Sequence, residues 1–304
     1  MIETTATFDH LEWLPEPNRK PIPAVPAAAK VFGPALVFAI TSGKGGVGKT
    51  NVTGNLAAAL ALKNRRVMVI DADLGLANLD LLLGVRPTYT LADFFAGAAP
   101  LDEIIVANRH GILLLPGASG VPEITSLRRD QKLALLTELD ALTHDLDIAL
   151  VDTGSGISDA VTYFTAAAQE IVVVVTPEPA SMTDAYALVK VLASAHGQKR
   201  FWILANNVSG EAEARRLFDA LSRTALCFLN AALDYLGWIP RDPRLTRAVA
   251  RSRMVVEDAA DAPSAQAFVA VAQRLMQTAA GGVAVKSNLQ FFLRRMLAGE
   301  RGGR

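Results

Sequence analysis

The stretch Thr41-Ser42-Gly43-Lys44-Gly45-Gly46-Val47-Gly48-Lys49-Thr50 decides the fold. An apolar run, ALVFAI at 35–40, comes immediately before it, and a helical pattern over 49–63 follows. From Gly43 to Thr50 the stretch satisfies G-x-x-x-x-G-K-[ST], the spacing of a loop that wraps a phosphate chain. The glycines let the backbone curl until several N–H groups point at one anion, and the helix N-terminus adds partial positive charge. In such a loop Lys49 reaches the β- and γ-phosphates and the Thr50 hydroxyl holds Mg²⁺. The expected cradle is therefore Gly43, Lys44, Gly45, Gly46, Val47, Gly48, Lys49, Thr50 and Asn51.

Outward from the loop, short apolar runs recur at 67–70, 112–115, 148–151, 171–175, 201–204 and 235–239. They are continuous and often β-branched, as strands buried on both faces are. Helical patterns lie between them, near 130–144, 158–168, 180–195, 210–224, 243–252 and 263–279. This alternation predicts an α/β fold with a mostly parallel central sheet and helices on both faces. It also predicts one domain over 35–280. Residues 1–34, rich in Pro and Ala, read as a flexible leader, and 281–304 as a glycine joint plus a basic amphipathic helix.

Two runs end in acids. The run at 67–70 leads into Asp71-Ala72-Asp73, and the run at 148–151 into Asp152-Thr153-Gly154-Ser155-Gly156. Carboxylates at the carboxyl edge of a sheet, beside a phosphate loop, suit metal binding or water positioning. An acid after four apolar residues is a Walker B pattern, so Asp152 is the expected Mg²⁺ partner of Thr50, and the glycines after it permit a moving switch. Asp71 or Asp73 could instead cap the next element.

Composition removes other classes. Lys plus Arg and Asp plus Glu are both 30, so a uniformly basic nucleic-acid coat is excluded. At 51% hydrophobic, the chain is too apolar for disorder. The longest apolar run, Leu56–Leu62, has seven residues, whereas a membrane-spanning helix needs about 20. Cys227 is the single cysteine, so no internal disulfide and no cysteine-held iron–sulfur cluster can form within one chain, and a reducing compartment fits. Near the C-terminus, Leu289, Phe292, Leu293, Met296 and Leu297 share one helical face, with Arg294 and Arg295 off it. A short basic amphipathic helix of this kind reads either as an anchor on an anionic membrane surface or as a helix packed on its own domain.

GKGGVGKT carries a second lysine, Lys44, that a plain phosphate loop does not need. With it the sequence resembles the deviant Walker motif of the MinD/ParA ATPases. That resemblance implies a P-loop NTPase fold, with ATP and Mg²⁺ as cofactors. It implies an ATP-state homodimer in which Lys44 crosses to the partner's phosphates, and hydrolysis carried by Asp73, Lys44 and Lys49. It also implies adenine contacts from Asn206, Pro240 and Asp242. The family's iron–sulfur carriers need cysteine pairs and are excluded here. The segments RRVMVIDADLGLANLDLLLG, TPEPASMTDAYALVKVL and LQFFLRRML resemble the flagellar-number regulators of the MinD-like group. This branch implies a slow switch ATPase of the cytoplasm, held peripherally on the inner face of the cell membrane. Its implied partners are a flagellar assembly GTPase, switch or basal-body proteins, or a flagellar transcription activator. The Asp-Gln-Ala motif that some members carry is absent from residues 1–34. ParA-like DNA partitioning and MinD-like division-site control are the alternatives. Arg241, Arg244, Arg247, Arg251 and Arg253 are the candidate phosphate contacts for DNA, although nucleic acid is not the expected main partner.

Overall fold

The structure, a computed structural model, describes residues 35–73, 78–117, 134, 138, 146–229 and 231–281. Eight strands form one sheet: β1 (Leu36–Ser42), β2 (Val67–Ala72), β3 (Val106–Ala107), β4 (Leu113–Leu115), β5 (Ile148–Ser155), β6 (Glu170–Val175), β7 (Arg200–Val208) and β8 (Ala232–Pro240). Their order is β3-β4-β2-β5-β1-β6-β7-β8, and every pairing is parallel except β3 with β4. All seven apolar runs are strands. The two-residue β3 is too short to leave a pattern.

The helices are α1 (Lys49–Ala61), α2 (Leu79–Leu83), α3 (Leu91–Phe95), α4 (Leu101–Ile104), α5 (Asp159–Ala167), α6 (Pro179–Ala195), α7 (Glu211–Phe228), α8 (Pro243–Ala250), α9 (Val255–Asp258) and α10 (Pro263–Gly281). The expected helix at 130–144 lies outside the described residues apart from 134 and 138. Helix α10 continues through Gly281, the first residue of the expected glycine joint.

Strand side chains alternate between two faces, and the packing follows that period. Phe38 and Ile40 of β1 join α1 and α10 on one face, while Val37 and Ala39 face α4 and α5 on the other. In β6, Val172 and Val174 take the first face, and Ile171, Val173 and Val175 pack under α6 and α7. Phe38, Phe201 and Phe268 are fully buried, each contributing on the order of 2–3 kcal/mol of apolar transfer.

The topology creates the crevice. From β1 the chain crosses by α1 to β2, passing over the place later filled by β5, and from β5 it crosses by α5 in the opposite direction to β6. Where crossovers diverge, the carboxyl ends of the strands open a cleft. The phosphate loop follows β1, and Asp71 and Asp152 lie near the carboxyl ends of β2 and β5.

Candidate functional site

Gly48 is the N-cap of α1 with φ 87°, a left-handed conformation that glycine adopts without strain. A Cβ there would also stand 2.7 Å from the Asn206 amide nitrogen. Gly43 is needed for a different reason, because its Cβ would lie 2.1 Å from the Asp184 carbonyl oxygen on α6. The loop is thus pressed against α6 on one side and β7 on the other. Val47 is buried and its carbonyl accepts a 2.7 Å hydrogen bond from Asn206 Nδ2.

Lys49 points inward. Its Nζ is 3.1 Å from Asp152 Oδ1, and both residues are buried, at 6% and 1% exposure. The Thr50 hydroxyl also bonds the Asp152 carboxylate, and Thr53 Oγ1 donates to Oδ1 at 3.0 Å. Burial pushes the Asp152 carboxyl above its ordinary range, and the Lys49 charge and the hydroxyl donors pull it back. A hydroxyl beside a carboxylate is a hard-oxygen donor pair suited to Mg²⁺. Among the described residues no cluster of three or more His, Cys, Asp or Glu could hold a metal. A cation at Thr50 and Asp152 would therefore complete its shell with phosphate oxygens and water, as Mg²⁺ does at such sites. The curled loop and this donor pair fit a Mg²⁺-nucleotide. Asn51, in the first turn of α1, accepts through its backbone and side-chain oxygens from Asn55.

Asp71 sits directly across from Asp152 in the β2–β5 register. Burial raises its pKa from 3.8 to about 7, and the neighbouring Asp152 and Asp73 charges push the same way. Asp71 Oδ1 accepts the Asp73 N–H at 3.1 Å, so the first acid orients the turn that carries the second. The Asp73 carboxylate lies beside Gly154, near the carboxyl end of β5.

The raised pKa has a measurable consequence. Between pH 3.8 and about 7 the folded protein holds a proton that the unfolded chain has released. Stability therefore falls as pH rises through this window, by on the order of 4 kcal/mol, and levels off above it. Asp71→Asn is neutral throughout, so the variant-minus-wild-type difference in Tm, without nucleotide or Mg²⁺, is expected to grow in the variant's favour from pH 5 to pH 8. A pH-independent difference would show that Asp71 is not the group responsible.

Lys44 points the other way. It lies on the open rim, 34% exposed, and forms an ion pair with Glu178 at the start of α6. Ile157, 52% exposed, follows β5 at the same end of the sheet. Pro240 ends β8, and Asp242 caps α8. Asp242 Oδ1 accepts from Arg244 N at 2.8 Å, while Oδ2 accepts from Ser264 N at 3.1 Å and Ser264 Oγ at 2.7 Å. Its carboxylate thus ties α8 to the start of α10, so a contribution to the base would come through the loop it shapes.

The arginine stripe is partly neutralised. Arg244 pairs with Asp261 at 2.7 Å, and Arg251 and Arg253 each lie 3.6 Å from Asp258. The membrane-face residues Leu289, Phe292, Leu293, Arg294, Arg295, Met296 and Leu297 lie outside the described residues. Among the described residues, no helix is long and apolar enough to cross a membrane.

Sequence reasoning missed two site groups. Thr53, one helical turn after Lys49, had a usable signal in its i+4 spacing. Glu178 had none, because its pairing with Lys44 spans 134 positions.

The chain matches the CobQ/CobB/MinD/ParA nucleotide binding domain over residues 38–255. It is 43% identical to the "Antiactivator FleN" of Pseudomonas aeruginosa over 264 residues, covering 87% of this chain and 94% of that protein. It is 34% identical to the "Flagellum site-determining protein YlxH" of Helicobacter pylori, covering 87% and 90%. Among solved structures, the septum site-determining protein MinD complexed with Mg-ADP, from Pyrococcus horikoshii OT3, superposes with TM-score 0.63 at 27% identity, covering 81% of this chain and 98% of that one.

Proposed function

Because the chain belongs to the CobQ/CobB/MinD/ParA nucleotide-binding family, we propose that it is a switch ATPase that controls flagellar number or placement. ATP with Mg²⁺ enters the Gly43–Asn51 cradle. Lys49 leaves Asp152 for the β- and γ-phosphates, and Thr50 and Asp152 are left to hold the cation. Asn206, Pro240 and Asp242 frame the base. Two subunits then close on the faces that carry Lys44 and Ile157, and hydrolysis, positioned by Asp73 with Lys44 and Lys49, reopens the pair. The ATP dimer binds flagellar partners and, through residues 289–297, an anionic membrane surface on the cytoplasmic side. Two such helices on one dimer gain avidity without any new contact.

The division of labour between the two lysines carries this reading. Lys49 is buried beside Asp152, as suits a lysine that serves its own subunit's nucleotide, whereas Lys44 stands on the rim beside Glu178, within reach of a second molecule. The flagellar assignment is supported by the likeness to FleN and YlxH, each matched over most of its length.

Light scattering with a slowly hydrolysed ATP analogue tests the switch. Wild type is expected to dimerise with the analogue and stay monomeric with ADP, and to sediment with anionic liposomes only as the dimer. Lys44→Ala is expected to keep nucleotide affinity within about threefold and lose the dimer. Analogue-independent mass, or a dimer undiminished in Lys44→Ala, refutes the proposal.

A further inference from the structure

A cavity of about 830 Å³, sharing no lining residue with the phosphate loop, lies between α2, Arg109 and the segment from Ala250 to Asp258. Its volume is that of a small-molecule site. Leu82, Val85 and Met254 contribute apolar wall. Leu82 also reaches α1, so close that a Cβ on Gly54 would stand 2.5 Å from its Cδ2. Four guanidiniums line the same space: Arg86, Arg109, Arg251 and Arg253.

Two carboxylates oppose these four cations. Glu257 pairs with Arg109 through Oε2 at 2.6 Å and has His110 Nε2 3.0 Å from its buried Oε1, and Asp258 is shared by Arg251 and Arg253 at 3.6 Å each. Arg86 is left over. Its Nη2 is buried and has no hydrogen-bond partner among the described residues. A guanidinium nitrogen withdrawn from water with nothing to donate to is destabilising unless an acceptor arrives, and a charged acceptor meets it best. Arg251 and Arg253, 65% and 57% exposed, add positive potential at the mouth.

From this combination we propose that the cavity binds an amphipathic organic anion. Its apolar body would lie on Leu82, Val85 and Met254, and its phosphate, sulfonate or carboxylate head would be held by Arg86 and the arginines beside it. The site is separate from the nucleotide cleft and goes beyond the switch function. Apolar contact alone would accept any greasy solute, and charge alone any phosphate, so selectivity requires both in one molecule.

The test titrates the full chain, with Mg-ADP saturating the nucleotide cleft, with 1-anilinonaphthalene-8-sulfonate and follows its fluorescence. A saturable site of one probe per chain is expected. Arg86→Gln and, separately, Arg253→Glu are each expected to weaken it about tenfold, the loss of one charge-assisted contact. Arg247→Glu makes the same charge change as Arg253→Glu at an exposed arginine outside the cavity and is expected to leave the affinity within twofold. Phe228→Ser, on the exposed end of α7, is expected to leave it unchanged. Octyl phosphate should displace the probe at concentrations where inorganic phosphate and octanol do not. Absence of saturation, equal weakening by Arg247→Glu, loss with Phe228→Ser, or equal displacement by inorganic phosphate would each overturn the proposal. Because Arg253 is exposed, its variant keeps the test decisive if Arg86→Gln fails to fold.

Discussion

Lys49→Gln is expected to abolish tight ATP binding, with the dissociation constant by calorimetry rising at least about 100-fold. In the proposed cycle one ammonium serves two anions in turn. With nucleotide it would face two phosphates, and loss of two charge-assisted hydrogen bonds at about 1.5–3 kcal/mol each accounts for that factor. Without nucleotide it neutralises Asp152, which is 1% exposed. Lys49→Gln therefore leaves a buried carboxylate with hydroxyl donors only. Breaking a buried pair from one side costs about 3–5 kcal/mol, so the nucleotide-free variant is also expected to melt well below wild type. Adding Asp152→Asn removes the orphaned charge and is expected to restore much of the Tm while leaving ATP binding absent. Wild-type affinity in Lys49→Gln would refute the phosphate-loop assignment. An unchanged Tm would show that the buried pair does not matter to folding.

Asp73→Ala is expected to retain ATP and the dimer while turnover falls about 100-fold or more, the usual scale for loss of a group that positions or deprotonates an attacking water. The structure places Asp73 just past the carboxyl end of β2, its N–H held by Asp71 and its carboxylate beside Gly154 of the neighbouring strand β5. It can thus address the phosphate end of the cleft without being a cradle residue. ATP binding by calorimetry, dimer mass by light scattering and phosphate release together separate the roles. Loss of binding would make Asp73 a structural member of the cradle, and wild-type turnover would remove it from the reaction.

These expectations rest on features legible to different degrees before the structure. The sheet was legible because its strands are buried on both faces, which demands continuous apolar runs such as IVVVV at 171–175. The phosphate loop was legible because its constraints are local and fall within eight consecutive residues, Gly43–Thr50. Helices α2, α3, α4 and α9 have four or five residues each, too few for a 3.6-residue period to repeat, and their positions come from tertiary packing. The Lys44–Glu178 pair and the Asp71–Asp152 juxtaposition depend on which strands become neighbours, which no single segment encodes. The cap by Asp242 lay between these extremes. Asp before Pro is a readable helix start, but its second oxygen finds Ser264 only because α8 and α10 begin side by side.

That shared cap makes α10 a brace. The helix has 19 residues, a rod of about 28 Å. Its first turn is held by the Ser264–Asp242 contact, and farther along it Met276 meets Arg65, just ahead of the strand start at Val67. The helix thereby braces the loop after β8 against the start of β2, with Phe268, Ala272 and Leu275 buried along its length.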